Sequence, residues 1–311
     1  MMKTQTEIRL REALSYIENA DPQQASQITS RLFVDDIESE EVFFTNQCCS
    51  FWINTKKQLD STTDLYEKGD RFFSEWKSFL SWCNAQSYIY KDALYSFQKG
   101  YFSNALTFFQ GRLEDKETRQ RAESYRKAGL CYKMLGDYVN AKTCFTYSSN
   151  IYPNNASVLA ELADCYIFCG EDKYGKVLFR EAFFINPEKV DLDFLESELI
   201  KCLVKKTKEK GYSNKYLLYW IPVYGVLSGV LNIKRELNAQ EVGRLKQAIY
   251  AMENALKDPS CDKEMLTPKL LNHYFRLIDH FIITNEGDNR INEILLRIKI
   301  LDTSIYEMYK K

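Results

Sequence analysis

Apolar residues recur along this chain at spacings of three and four, the pattern of helices that bury one face. Residues 62–84 show it in Phe72, Phe73, Trp76, Phe79, Leu80 and Cys83, and pair with a preceding helix over 38–59. Residues 5–34 carry Ala13, Tyr16 and Ala25, with "NADPQQ" as a turn between two shorter helices. At the other end, Ile291, Ile294, Leu295, Ile298, Leu301, Ile305 and Met308 form one stripe that predicts a single helix over 289–309 and requires a partner surface. Thr267 and Pro268 predict an N-cap and first-turn proline for a helix reaching Ile283. Asn238 and Glu241 have the spacing of a capping box, which opens a helix carrying Ala248, Met252 and Ala255.

In mid-chain the pattern repeats. Cys131 and Cys165, Tyr132 and Tyr166, Gly136 and Gly170, Ala141 and Gly175, Phe145 and Phe179, and Pro153 and Pro187 are all separated by 34 residues. Within each copy, small residues and a tyrosine mark a first helix that stops at glycine, which tolerates the left-handed conformation of a helix end. A second helix comes next, and proline closes the unit because it cannot continue the helix. Small residues let the two helices approach closely, and aromatic residues fill the space between one pair and the next.

Gly129, Tyr132, Gly136, Tyr138, Ala141, Phe145 and Pro153 fall at the spacing of the tetratricopeptide repeat (TPR), and this segment resembles that family. The second copy departs at Ala163, Asp172 and Gly175. A third copy is read upstream in Ala93, Gly100, Phe102, Ala105 and Phe109, without its closing proline. The organisation expected is therefore all-α: divergent hairpins over 1–84, three repeats at 86–121, 122–155 and 156–189 within a block of 85–189, and divergent hairpins with a helical cap over 190–311. The resemblance implies a right-handed solenoid of antiparallel hairpins whose first helices line a concave groove. It would place Tyr90, Leu94 and Phe97, then Arg126, Leu130, Lys133 and Met134, in that groove. Asp164, Ile167 and Phe168, and last Asp191, Phe194 and Glu198, would continue it. Such a face suits an extended or helical peptide with apolar anchors and polar orienting contacts. Members that grip a C-terminal carboxylate use lysines and asparagines; the matching places here hold Tyr90, Leu94, Lys127, Ser157 and Glu161, which does not support that specificity.

Composition fits an all-helical protein with only 12 glycines and 6 prolines in 311 residues. With 42 basic and 43 acidic side chains, no global field points to nucleic acid or an anionic membrane. Charges at Lys3, Glu7, Arg9, Arg11 and Glu12 interrupt any signal-like apolar core. Together with nine cysteines, an odd number set mostly in helical patterns, this predicts reduced thiols in a cytoplasmic protein.

Candidate chemistry is sparse. Gly170 to Val177 has the spacing of a phosphate-binding loop, yet Val177 stands where Ser or Thr would hold magnesium, and a helix precedes it instead of a strand. Cys165 and Cys169 share a helix face but lack two further metal ligands nearby. His273 and His280, with Asp279, could orient a base or ligand pair; packing or a surface hydrogen bond explains them more simply, since no nucleophile stands at a motif-like spacing. The reading is of a protein without catalytic residues, cofactor or metal. Lys201, Lys205, Lys206, Lys208, Lys210 and Lys215 could meet phosphate, RNA or an acidic partner, or simply complement a helix C-terminus.

Residues 216–233 carry no charge, long enough to raise a membrane anchor. Pro222, Ser228, Asn232 and two glycines oppose insertion, and the stretch is read as the buried first helix of an enlarged hairpin, bent at Pro222 and covered by the C-terminal helices. Three functions are expected, in order: a scaffold binding a protein or peptide in its groove, a membrane-tethered assembly factor, and an RNA-binding helical repeat.

Overall fold

The computed structural model describes residues 2–310, which form fifteen α-helices, two short 3-10 turns and, among the described residues, no strand. The chain packs as two compact units that divide after Tyr152, inside the expected repeat block of 85–189.

The first unit contains α1 (Met2–Glu18), α2 (Pro22–Asp35), α3 (Glu40–Ser61), α4 (Leu65–Asn84), α5 (Lys91–Gln110), α6 (Thr118–Met134) and α7 (Tyr138–Ile151). Side-chain caps start several of them. Asp21 accepts from Gln24 N, Ser39 from Val42 N, Asp64 from Tyr66 N and Glu67 N, and Asp137 from Asn140 N. The α6–α7 turn has the expected form. Gly136 adopts φ 80°, its N–H reaches Lys133 O at 2.9 Å, and Asp137 N reaches Tyr132 O at 2.9 Å, so two orphan carbonyls are satisfied in one left-handed turn. Gly129 lets the two helices touch, since a Cβ there would stand 2.8 Å from the ring of Phe145. The α1–α2 turn repeats the geometry at Ala20, φ 62°, where an L side chain occupies the position that favours glycine.

The expected third hairpin is not formed. Helix α5 runs unbroken through Gly100, whose missing side chain serves a crossing: a Cβ would lie 2.0 Å from the carbonyl oxygen of Ile17 on α1 and 2.8 Å from the Trp52 ring. Around that crossing, α3, α4 and α5 build an aromatic core. Phe97 packs against Trp52, Trp76, Phe79 and Tyr101, with Phe79 nearest at 4.3 Å between ring centroids.

The second unit contains α8 (Ala156–Phe168) and α9 (Asp172–Ile185), then 3-10 turns at Pro187–Lys189 and Leu192–Phe194. Beyond these come α10 (Glu198–Glu209), α11 (Asn214–Leu227), α12 (Ala239–Ala255), α13 (Lys263–Thr284), α14 (Asp288–Leu301) and α15 (Thr303–Lys310). Gly170, φ 76°, ends α8 as Gly136 ends α6, with Gly170 N on Ile167 O and Glu171 N on Tyr166 O. The phosphate-loop spacing is thus accounted for by a helix stop, with Lys176 inside α9.

Three expectations change here. The uncharged run is not one helix: α11 ends at Leu227, Gly229 takes φ 73°, and the chain doubles back so that Leu231 N donates to Gly225 O at 2.8 Å. Gly225 permits this return, because a Cβ would meet Leu231 at 2.6 Å. Residues 232–237 then continue without helix, and Pro222 lies buried inside α11. Helix α13 starts four residues before Thr267, capped by Asp262, so Pro268 sits within it. The C-terminal stripe is interrupted at Asp302, which leaves the helix conformation and caps α15 by accepting from Ile305 N at 3.0 Å. The stripe still finds its partner. Ile294, Leu295, Ile298 and Ile305 join Leu271, Phe275 and Ile278 of α13 in one core. Helix α11 serves two cores, giving Trp220, Val223 and Val226 to that cluster and Leu217 and Ile221 to another with Leu159, Phe179 and Phe183. No helix among the described residues is long and apolar enough to cross a membrane.

Candidate functional site

An open cleft of 920 Å³ lies beside α10 in the second unit. Its construction begins on α8. Asp164, fully buried, accepts from Glu196 N at 2.8 Å and from Ser197 N at 2.9 Å. Ser197 is the N-cap of α10 but its side chain makes no capping bond; a carboxylate from α8 instead holds the N–H groups of the two residues that lead into α10. Ser157, also on α8, donates to Lys189 O at 2.6 Å, and Asp191 caps the second 3-10 turn. These bonds fix residues 187–197 as one wall of the cleft.

The other wall is α10 itself. Leu203 and Thr207 point into the core, while Ile200 and Val204 meet Leu192 and Leu195 to make an apolar floor. Lys201, Lys205 and Lys208 stand at i, i+4 and i+7, on one exposed edge of that floor. None of the three is ion-paired among the described residues. Asp193, Glu196 and Glu209 complete the lining. The result is an apolar slot whose lining holds three lysines along one edge and three carboxylates besides; the lysine edge can orient the carboxylates of an amphipathic segment whose apolar side chains enter the slot.

The thirteen residues placed in a groove by sequence fall into three groups by burial. Phe97, Leu130, Lys133, Met134, Asp164 and Phe194 are buried. Phe97 belongs to the aromatic core and Asp164 anchors α10, so neither presents its side chain to a ligand. Tyr90, Leu94, Arg126, Ile167 and Asp191 are half-buried, and Phe168 and Glu198 are exposed. Arg126 is held by Glu123 at 3.0 Å on its own helix. Asp191, Phe194 and Glu198 border the α10 cleft in sequence, whereas the cleft's own lysines and leucines were not among the thirteen. Their signal was present as Lys201, Lys205 and Lys208 at helical spacing beside Ile200 and Val204.

The histidine pair lies in the buried middle of α13. His273 Nδ1 lies 2.8 Å from Lys269 O, its ring is tilted against Phe184, and burial lowers its pKa to about 4. His280 Nδ1 accepts from Leu237 N at 3.3 Å, which leaves its other nitrogen carrying the proton, 3.5 Å from Glu286. Between them Asp279 pairs with Arg180, which also donates to Ile233 O; burial pushes the Asp279 carboxyl up despite that partner. Arg276 meets both Glu181 oxygens at 2.7 and 2.8 Å. These polar groups hold the 232–237 segment between α9 and α13. Among the described residues, no three His, Cys, Asp or Glu side chains gather as a metal site.

No model of a known protein family matches the chain, and no curated protein shows significant similarity to it.

Proposed function

We propose that the protein is a non-catalytic helical scaffold of tetratricopeptide type, working in the cytoplasm, that binds an acidic amphipathic segment of a protein partner in the cleft beside α10. One observation carries this reading: three exposed, unpaired lysines at helical spacing rim an apolar floor made by Leu192, Leu195, Ile200 and Val204. Rim charges steer and orient a partner, and the apolar floor holds it. Two matching hairpins, α6–α7 and α8–α9, each closed by a left-handed glycine, support the repeat assignment.

The test is fluorescence anisotropy with a synthetic helical peptide bearing leucines on one face and glutamates beside them. Lys201→Glu with Lys205→Glu is expected to weaken binding about tenfold or more, since each reversal costs on the order of 1 kcal/mol at a partly exposed rim. Val204→Asp should weaken it further by charging the floor. Equal binding by all three proteins overturns the reading. Salt-sensitive retention of single-stranded RNA by the wild type, lost on lysine reversal, with no peptide binding, would establish the RNA-binding alternative instead.

A further inference from the structure

The corner between α2 and α3 carries acidic and exposed apolar side chains that match the lysine edge and the apolar floor of the α10 cleft. Residues 32–44, "LFVDDIESEEVFF", contain five carboxylates and no base. Val34 at the end of α2, Ile37 in the turn and Phe43 at the start of α3 are 78%, 69% and 43% exposed and lie together on one corner. The corner is held in shape. Asp36 N closes α2 on Leu32 O at 2.8 Å, Ser39 caps α3, and Leu32 and Val42 pack on Leu10 beneath. Apolar anchors ringed by Asp35, Glu38 and Glu40 thus project from a fixed scaffold, with little ordering cost on binding.

From this complementarity we infer that the occupant of the α10 cleft is the α2–α3 corner of a second copy of the chain. Acidic side chains around exposed Val34, Ile37 and Phe43 meet Lys201, Lys205 and Lys208 around Leu192 and Val204. The inference rests on the cleft being a docking site for an acidic amphipathic segment, and names that segment. Because the two surfaces are different patches, the contact is head-to-tail, and copies add in series until a ring closes or a chain grows. Charge carries part of the attraction, so association falls as salt rises.

Sedimentation velocity of the full chain over a hundredfold concentration range tests it. The expected result is a mass that climbs above the 36.6 kDa monomer with concentration and falls back in high salt. Lys201→Glu/Lys205→Glu alone, and Glu38→Lys/Glu40→Lys alone, should each remain monomeric, whereas an equimolar mixture should associate again, because it restores opposite charges at both kinds of contact. Refolded variants with native circular dichroism that fail to associate singly but recover on mixing cannot be explained by damage to the fold. Wild-type protein that stays at 36.6 kDa throughout overturns the inference. If such protein still binds the acidic synthetic peptide through its lysines, the scaffold reading stands; if it does not, both fall.

Discussion

Gly100 and Gly136 occupy the same place in the repeat pattern, and the chain treats them oppositely. At Gly136 it turns in a left-handed conformation, and a Cβ would meet nothing within 4 Å. At Gly100 it stays helical, and a Cβ would collide with the backbone of α1. The residue after each glycine separates them. Asp137 is polar and caps the next helix through Asn140 N. Tyr101 is buried, with its hydroxyl donating to Phe72 O at 2.8 Å, and a turn at Gly100 would pull it out of the aromatic core. One glycine is required by the conformation of its own residue, the other by a helix distant in sequence.

Substitutions at these positions measure that difference. Gly100→Ala should have the largest effect, destabilising the first unit by about 3 kcal/mol, the upper end of overpacking costs, because the obstructing atom is a carbonyl oxygen that cannot rotate away. Urea unfolding reads it, and a loss no greater than that of the alanine variant at position 136 would break the comparison. Gly136→Ala should cost about 1 kcal/mol from the left-handed conformation alone. Tyr101→Phe should cost a similar ~1 kcal/mol, because one buried hydrogen bond goes while the ring remains. The smallest effect is a gain. Ala20→Gly should stabilise the α1–α2 turn by about 0.5 kcal/mol, seen as a small rise in melting temperature, by relieving the left-handed strain at φ 62°.

The same contrast explains what the sequence disclosed. Helix class, the 34-residue offset, the stops at Gly136 and Gly170 and the capping box at Asn238 and Glu241 were legible because each is settled by residues within one or two turns. Gly100, Phe97 and Asp164 were misplaced because their roles are set by Ile17, Trp76 and Ser197, far away along the chain. The break at Asp302 did carry a local signal, an aspartate ahead of a threonine inside an apolar stripe, outweighed by the regularity of the leucines and isoleucines around it. At the candidate site the lysine run was visible, but its meaning depended on Leu192 and Leu195 arriving from the other side of a turn fixed by α8.

The free thiols give the molecule a set of internal clocks. Cys202 is exposed on α10, while Cys48 and Cys131 are sealed in the first unit, with thiols driven well above the usual range by burial. Cys49 is pushed up to about 12 and Cys83 to about 11 by the same cause. A thiol reagent should therefore mark Cys202 within its ordinary reaction time and reach Cys48 or Cys131 only when the surrounding helices part. The order in which these cysteines are modified would chart how the chain comes undone, with no label added.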